Sequence, residues 1–135
     1  MSEAEKNEQL AREFFDKLST GDLELVRPCF HEQAKWIVRA KGIPGAGVHS
    51  GRDYIIDEFL APVRGLFEDG DPKVYVDRVF GKGDLVAIQS KSLGKMRNGK
   101  TYENYYAWIL QFKDGKIIEL SEYMDTYYVS TLVDD

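Results

Sequence analysis

Two stretches decide how this chain folds: Asn104-Tyr-Tyr-Ala-Trp-Ile-Leu-Gln-Phe112 and Ile118-Glu-Leu-Ser-Glu-Tyr-Met124, joined through Asp114-Gly115. Side chains of a strand point alternately to its two faces, so even and odd positions form separate sets. The even set of the first stretch reads Asn, Tyr, Trp, Leu, Phe, and the odd set Tyr105, Ala107, Ile109, Gln111. The even set of the second reads Ile, Leu, Glu, Met. Asn98-Gly99 and Asp114-Gly115 are strong hairpin signals, and Gly81-Lys-Gly-Asp84 is a third turn. Strands near 84–96, 100–113 and 116–125 therefore form a meander. Two-residue turns would pair even positions with odd ones, whereas three-residue loops with glycine in a bulge pair even with even. The bulged loops join the more apolar sets and are preferred. They put Ile88, Trp108 and Leu120 in one row, Ser90, Tyr106 and Glu122 in the next, and Ser92, Asn104 and Met124 beyond. Such a face is apolar at one end and polar at the other, as small-molecule pockets usually are.

Towards the N-terminus the pattern turns helical, which makes the chain α+β, with helices over one face of a curved antiparallel sheet. Ser2 and Glu5 form a capping box, and Leu10, Phe14 and Leu18 recur every four residues. Gly21 ends that helix, and Asp22 caps a short one carrying Leu23, Val26 and Phe30. A strand is expected over Ala34 to Ala40, then a glycine-rich loop to Gly51. Ser50 and Asp53 read as a second capping box, opening a helix that Pro62 kinks or splits. No repeat or linker divides residues 1–135, so one domain is expected.

Composition narrows the function. The charge of −5 argues against nucleic acid, and no apolar run reaches the roughly 18 residues of a membrane span. The polar N-terminus lacks secretory character, so the expected address is cytoplasmic. Cys29 is alone and the two histidines are far apart, so neither a disulfide nor a metal site is expected. Gly45-Ala-Gly47 before a helix lacks the third glycine of a dinucleotide fingerprint, and no parallel repeat follows. It reads as a loop at a pocket mouth, where His49 and Tyr54 could touch a ligand.

Glu122 interrupts an apolar face. Buried carboxylates need partners or a proton, and Tyr106 and Ser90 in its row could offer hydroxyls. That suits a general acid or base, and equally a structural network. Asp125, three residues on, could share acid–base work or simply cap the chain's exit. Trp36 and Trp108 face inward as pocket wall or core.

Arg12-Glu-Phe-Phe-Asp-Lys-Leu18 through Gly21-Asp22, Ser50-Gly-Arg-Asp-Tyr54, and Tyr102 through Ile117 with Glu122-Tyr-Met-Asp125 resemble the SnoaL-like branch of the nuclear transport factor 2-like superfamily. The resemblance spans nearly the whole chain and implies a cone, a sheet wrapped around N-terminal helices. Ketosteroid isomerases of this fold use a tyrosine and two aspartates where this chain has Phe14, Val38 and Trp108, which argues against steroid isomerisation. Epoxide hydrolases use an Arg–x–Asp pair where this chain reads Ser90-Lys91-Ser92, which argues against epoxide hydrolysis. The acid–base aspartate of SnoaL-type polyketide cyclases is what Asp125 or Glu122 resembles.

The expected function is acid–base isomerisation, cyclisation or hydration of a small, partly apolar molecule, without cofactor. Glu122 or Asp125 would move the proton. Tyr106, Asn104 and Ser90 would orient an oxygen, and Trp36, Trp108, Leu120 and Met124, with Ser92 near the polar end, would form the wall. A non-catalytic binder and a protein-interaction module are the alternatives. The odd-numbered outer face, with Leu85, Ala87, Tyr105, Ala107, Ile109, Ile117 and Tyr123, is too apolar for open solvent. A homodimer joined through it is expected, as the resemblance also implies.

Overall fold

The computed structural model describes residues 1–133; the last two positions of the expected domain lie outside the described residues. Helix α1 (Glu3–Ser19) opens on the Ser2/Glu5 capping box and turns Ala11, Phe14, Phe15 and Leu18 inward. Asp22 accepts from the Glu24 amide and caps α2 (Leu23–Val26). A 3-10 turn holding Pro28 follows, and β1 (Phe30–Val38) begins there. Phe30 thus starts the strand instead of ending the helix, and β1 begins four residues before the expected Ala34.

The glycine-rich loop is shorter than expected, because β2 (Gly47–Ser50) pairs back on β1 with His49 opposite Trp36. Ser50 sits in that strand, so it cannot cap a helix, and no side chain caps the next one at Gly51. Asp53 instead bonds Arg27 at 2.8 Å, and Asp57 meets the same guanidinium at 2.7 Å. The helix runs through α3 (Arg52–Tyr54), a π segment (Ile55–Leu60) and α4 (Ala61–Arg64). Ahead of Pro62 the Ala61 amide reaches five residues back to Ile56, so the helix widens instead of breaking. The wider turn buries Ile55, Ile56, Phe59 and Leu60.

Strands β3 (Lys73–Lys82), β4 (Leu85–Lys95), β5 (Thr101–Lys113) and β6 (Lys116–Met124) form the meander. The sheet order is β2-β1-β6-β5-β4-β3. The β1–β6 pair is parallel, so the sheet is mixed where an antiparallel one is expected. Helix α5 (Thr126–Val133) ends the described chain. Gly94 has no room for a side chain, since a Cβ there would lie 2.8 Å from the Pro72 Cα. The segment before β3 crosses β4 at that point.

The two hairpins differ. At Asn98-Gly99 the expected three-residue loop forms, with the Met96 amide bonded to the Lys100 carbonyl. Ile88 lies opposite Trp108, Ser90 opposite Tyr106 and Ser92 opposite Asn104. At Asp114-Gly115 both residues have positive φ, 51° and 75°, and Lys113 faces Lys116 across a two-residue turn. A bulge then makes Ile118 the extra residue, restoring even-with-even pairing two positions further along. Trp108 therefore faces Glu122, and Tyr106 faces Met124. The bulge also turns Ile117 into the core with Phe112, correcting its assignment to the outer face.

Candidate functional site

Glu122 sits in the row Val38–Glu122–Trp108, across β1, β6 and β5. Alternation turns it to the helix-covered side, where it is 8% exposed. Trp36, two residues before Val38, donates its indole N–H to Glu122 Oε1 at 2.7 Å. Burial raises the Glu122 pKa to about 7, and the Trp36 hydrogen bond only partly opposes that rise. Arg39 and Lys91 give no help: Arg39 bonds Ser121 on the other face at 3.1 Å, and Lys91 alternates outward. The second carboxyl oxygen makes no hydrogen bond among the described residues. No fully buried side-chain polar atom there lacks a partner, so that oxygen opens on the cavity beside it.

That cavity measures about 130 Å³. Glu122, Tyr102 and Tyr106 enter from the sheet, Phe59 from the π segment, and Val129 and Leu132 from α5. A second chamber of about 70 Å³ shares Glu122, Tyr106, Val63 and Pro72, and adds Trp36, Ser92 and Trp108. The carboxyl thus sits at the waist between two mostly hydrocarbon spaces. Tyr106 stacks on Trp108 with ring centroids 5.1 Å apart, and its hydroxyl meets that of Tyr102. Burial pushes both phenols above their ordinary pKa, so both keep their protons near neutrality. A group near pKa 7 beside neutral phenols in a mostly apolar cavity can hold a proton or take one.

The other expected site residues are spread more widely. Tyr106 and Met124 line the main cavity, and Trp36, Ser92 and Trp108 line the smaller chamber. Ser90 lies two positions from Ser92 and accepts from the Trp108 indole at 2.8 Å, fixing that ring without lining either chamber. Leu120 is fully buried in the core behind the site. Asn104 is also buried and lines neither chamber; its amide binds Tyr102 and the backbone at Asp125. Asp125 is exposed and accepts from the Tyr128 amide at 3.0 Å, so it caps α5 and stays out of the cavity.

His49 belongs to β2, bonds the Gly45 carbonyl at 2.7 Å and stacks on Phe59 at 3.9 Å. It supports a wall residue and does not reach the space. Tyr54 is half exposed and stacked on His49. Tyr102 and the α5 residues are additions that the sequence reading does not include. Tyr102 shares the even face of β5 with Asn104 and Tyr106, so its alternation carried the signal. Among the described residues no three His, Cys, Asp or Glu side chains gather as metal ligands, and no helix is long and apolar enough to cross a membrane.

Solved structures share this architecture along their whole length. A nuclear transport factor 2-like protein of unknown function from Burkholderia pseudomallei is 19% identical, with a TM-score of 0.85 and all of both chains covered. TerC, co-crystallised with polyporic acid, is 20% identical with a TM-score of 0.82, covering 96% of this chain and 99% of its own. A protein named as a SnoaL-like polyketide cyclase from Jannaschia sp. CCS1 is 19% identical with a TM-score of 0.82, over 97% of this chain and 94% of its own. At such identities the likeness is one of fold. No curated protein matches the chain in sequence. The sequence pattern of the SnoaL-like domain matches residues 11–120, from the middle of α1 to the strand that bears Glu122. The chain belongs to the SnoaL-like domain family.

Proposed function

We propose that this protein is a cofactor-independent acid–base enzyme of the isomerase, cyclase or hydratase type, acting on a small, mainly apolar organic molecule. One observation carries the reading: Glu122, with a pKa raised to about 7, keeps one oxygen on Trp36 and the other on an apolar cavity. A carboxyl poised near neutrality serves equally as acid and base, which is what proton transfer at carbon asks of a side chain. Tyr106 stands beside it as the oxygen-orienting group. The polyporic acid of TerC and the cyclase name borne by a structural neighbour support a small organic occupant.

The test uses simple cyclic ketones in D₂O, with exchange at the carbon beside the carbonyl followed by NMR. The native protein should catalyse exchange. Glu122→Gln should keep ketone binding and lose exchange by at least about 100-fold, the usual weight of a general base. Binding without exchange in the native protein would leave a binder in place of an enzyme.

The working unit in this proposal is a homodimer in the cytoplasm. Tyr105, Ile109 and Tyr123 on the outer sheet face are 64%, 41% and 45% exposed, and among the described residues no helix covers them. A second copy of the same face is the simplest cover.

A further inference from the structure

Asn104 has a fixed hydrogen-bonding sense. Its Oδ1 accepts from the backbone amides of Tyr105 at 2.8 Å and Asp125 at 3.3 Å, and neither amide can become an acceptor. Its NH₂ therefore faces the Tyr102 hydroxyl at 3.0 Å and the Asp125 carbonyl at 3.3 Å. Exchanging the two ends would set NH₂ against two N–H groups and oxygen against a carbonyl, so the backbone dictates the orientation. The Tyr102 oxygen consequently accepts from Asn104.

Tyr102 and Tyr106 bring two hydroxyl hydrogens to one mutual contact. One hydrogen lies between the oxygens and the other is surplus. Either hydroxyl can donate at this contact, and an oxygen that already accepts a bond is polarised into a better donor, which favours the arrangement with the Tyr102 hydrogen on Tyr106. The Tyr106 hydrogen then has no acceptor among the described residues, and Tyr106 lines both chambers at the waist beside Glu122.

We propose that Asn104 and Tyr102 are positioning residues that set Tyr106 as a one-way hydrogen-bond donor into the cavity. The pocket thereby selects an occupant carrying an acceptor oxygen, of the carbonyl class, over a hydrocarbon of equal shape. The proposal rests on the acid–base reading only in taking the Glu122 cavity as the ligand site. Asn104 acts through the phenols without touching the occupant.

The probe is 2-cyclohexenone labelled with carbon-13 at the carbonyl, with cyclohexene as its shape control. A ring of this size suits a space of about 130 Å³, since cavities near 150 Å³ hold benzene. In the native protein the bound carbonyl resonance moves downfield. Tyr106→Phe should abolish most of that shift and weaken ketone binding about tenfold, the weight of one hydrogen bond, with cyclohexene binding unchanged. Asn104→Asp replaces the donor by an acceptor. The Tyr102 hydrogen then turns to position 104, the Tyr106 hydrogen turns to Tyr102, and the shift shrinks although Tyr106 remains. Should that variant fail to fold, Tyr102→Phe gives the second readout, a reduced shift from an unpolarised Tyr106.

A full shift retained in Tyr106→Phe overturns the proposal, as does equal weakening of ketone and cyclohexene. If neither ring binds, the pocket reading falls and this one with it. Loss of carbon-bound exchange with the carbonyl shift intact would sink only the acid–base role of Glu122. Exchange without the shift would sink only the directed donor.

Discussion

Glu122 is a carboxyl whose folded environment prefers the proton. Its pKa rises from 4.5 to about 7, so between those values the native state holds more protons than the unfolded one. Stability then falls as pH rises through that window: the contribution is fully present below the unfolded value and lost above the folded one. The total loss is about 3 kcal/mol. Glu122→Gln has no such proton to lose. Its denaturation midpoint should stay level across the window while that of the native protein declines, and paired urea melts at several pH values check this. A rise or no change in the native protein would mean the carboxyl is solvated. The residue was conspicuous in the sequence because it alone among Leu120, Glu122 and Met124 breaks an apolar alternation. Asp125 offered a second carboxyl three residues on, but its fate was decided by a helix beginning at the next residue, which no periodicity before it announces. The role of Asn104 rests on which backbone amides lie beside it, and alternation carries none of that information.

Among the elements, β4, β5 and β6 were legible to within a residue or two because glycine turns punctuate them and apolar residues alternate, whereas β1 starts four residues before its expected beginning and β2 lies inside the expected loop. The offset between β5 and β6 was not legible. A three-residue loop, and a two-residue turn followed by a bulge, give the same even-with-even parity. They differ by two positions, enough to change the residue directly opposite Glu122 from Tyr106 to Trp108, with Tyr106 one row along on the same face. Helix α5, like strand β2, is an element that the sequence reading missed. It closes the cavity with Val129 and Leu132 and packs Leu132 against Phe67, Met96 and Tyr102. That cluster is small and shares only Tyr106 with the main core, so α5 is expected to open without unfolding the sheet. Leu132→Ala should cost α5 roughly 2 kcal/mol, the low end for burying less leucine. Hydrogen exchange would show faster exchange of the α5 amides with the β4–β6 amides unchanged; a uniform loss would mean that α5 belongs to the global fold.

At the scale of the whole molecule, the helices occupy one side of the sheet and leave Leu85, Tyr105, Ile109 and Tyr123 exposed on the other. If two copies close on that side, the mass in solution at micromolar concentration is twice the 15.5 kDa of the chain. Ile109→Lys, at the centre of β5, puts a like charge on each copy at the contact and should give a monomer by sedimentation with the fold retained. A native monomer would remove the dimer from the proposed working unit.

The chain has only two tryptophans, and they meet edge to face at 5.8 Å, both lining the smaller chamber beside Glu122. All of its indole fluorescence therefore originates within contact of the carboxyl, and Trp36 is hydrogen-bonded to it. Emission excited at the red edge of the indole band carries no background from elsewhere in the chain. The protein holds its own optical reporter for the ionisation of Glu122 and for whatever displaces the space around it, with no label attached.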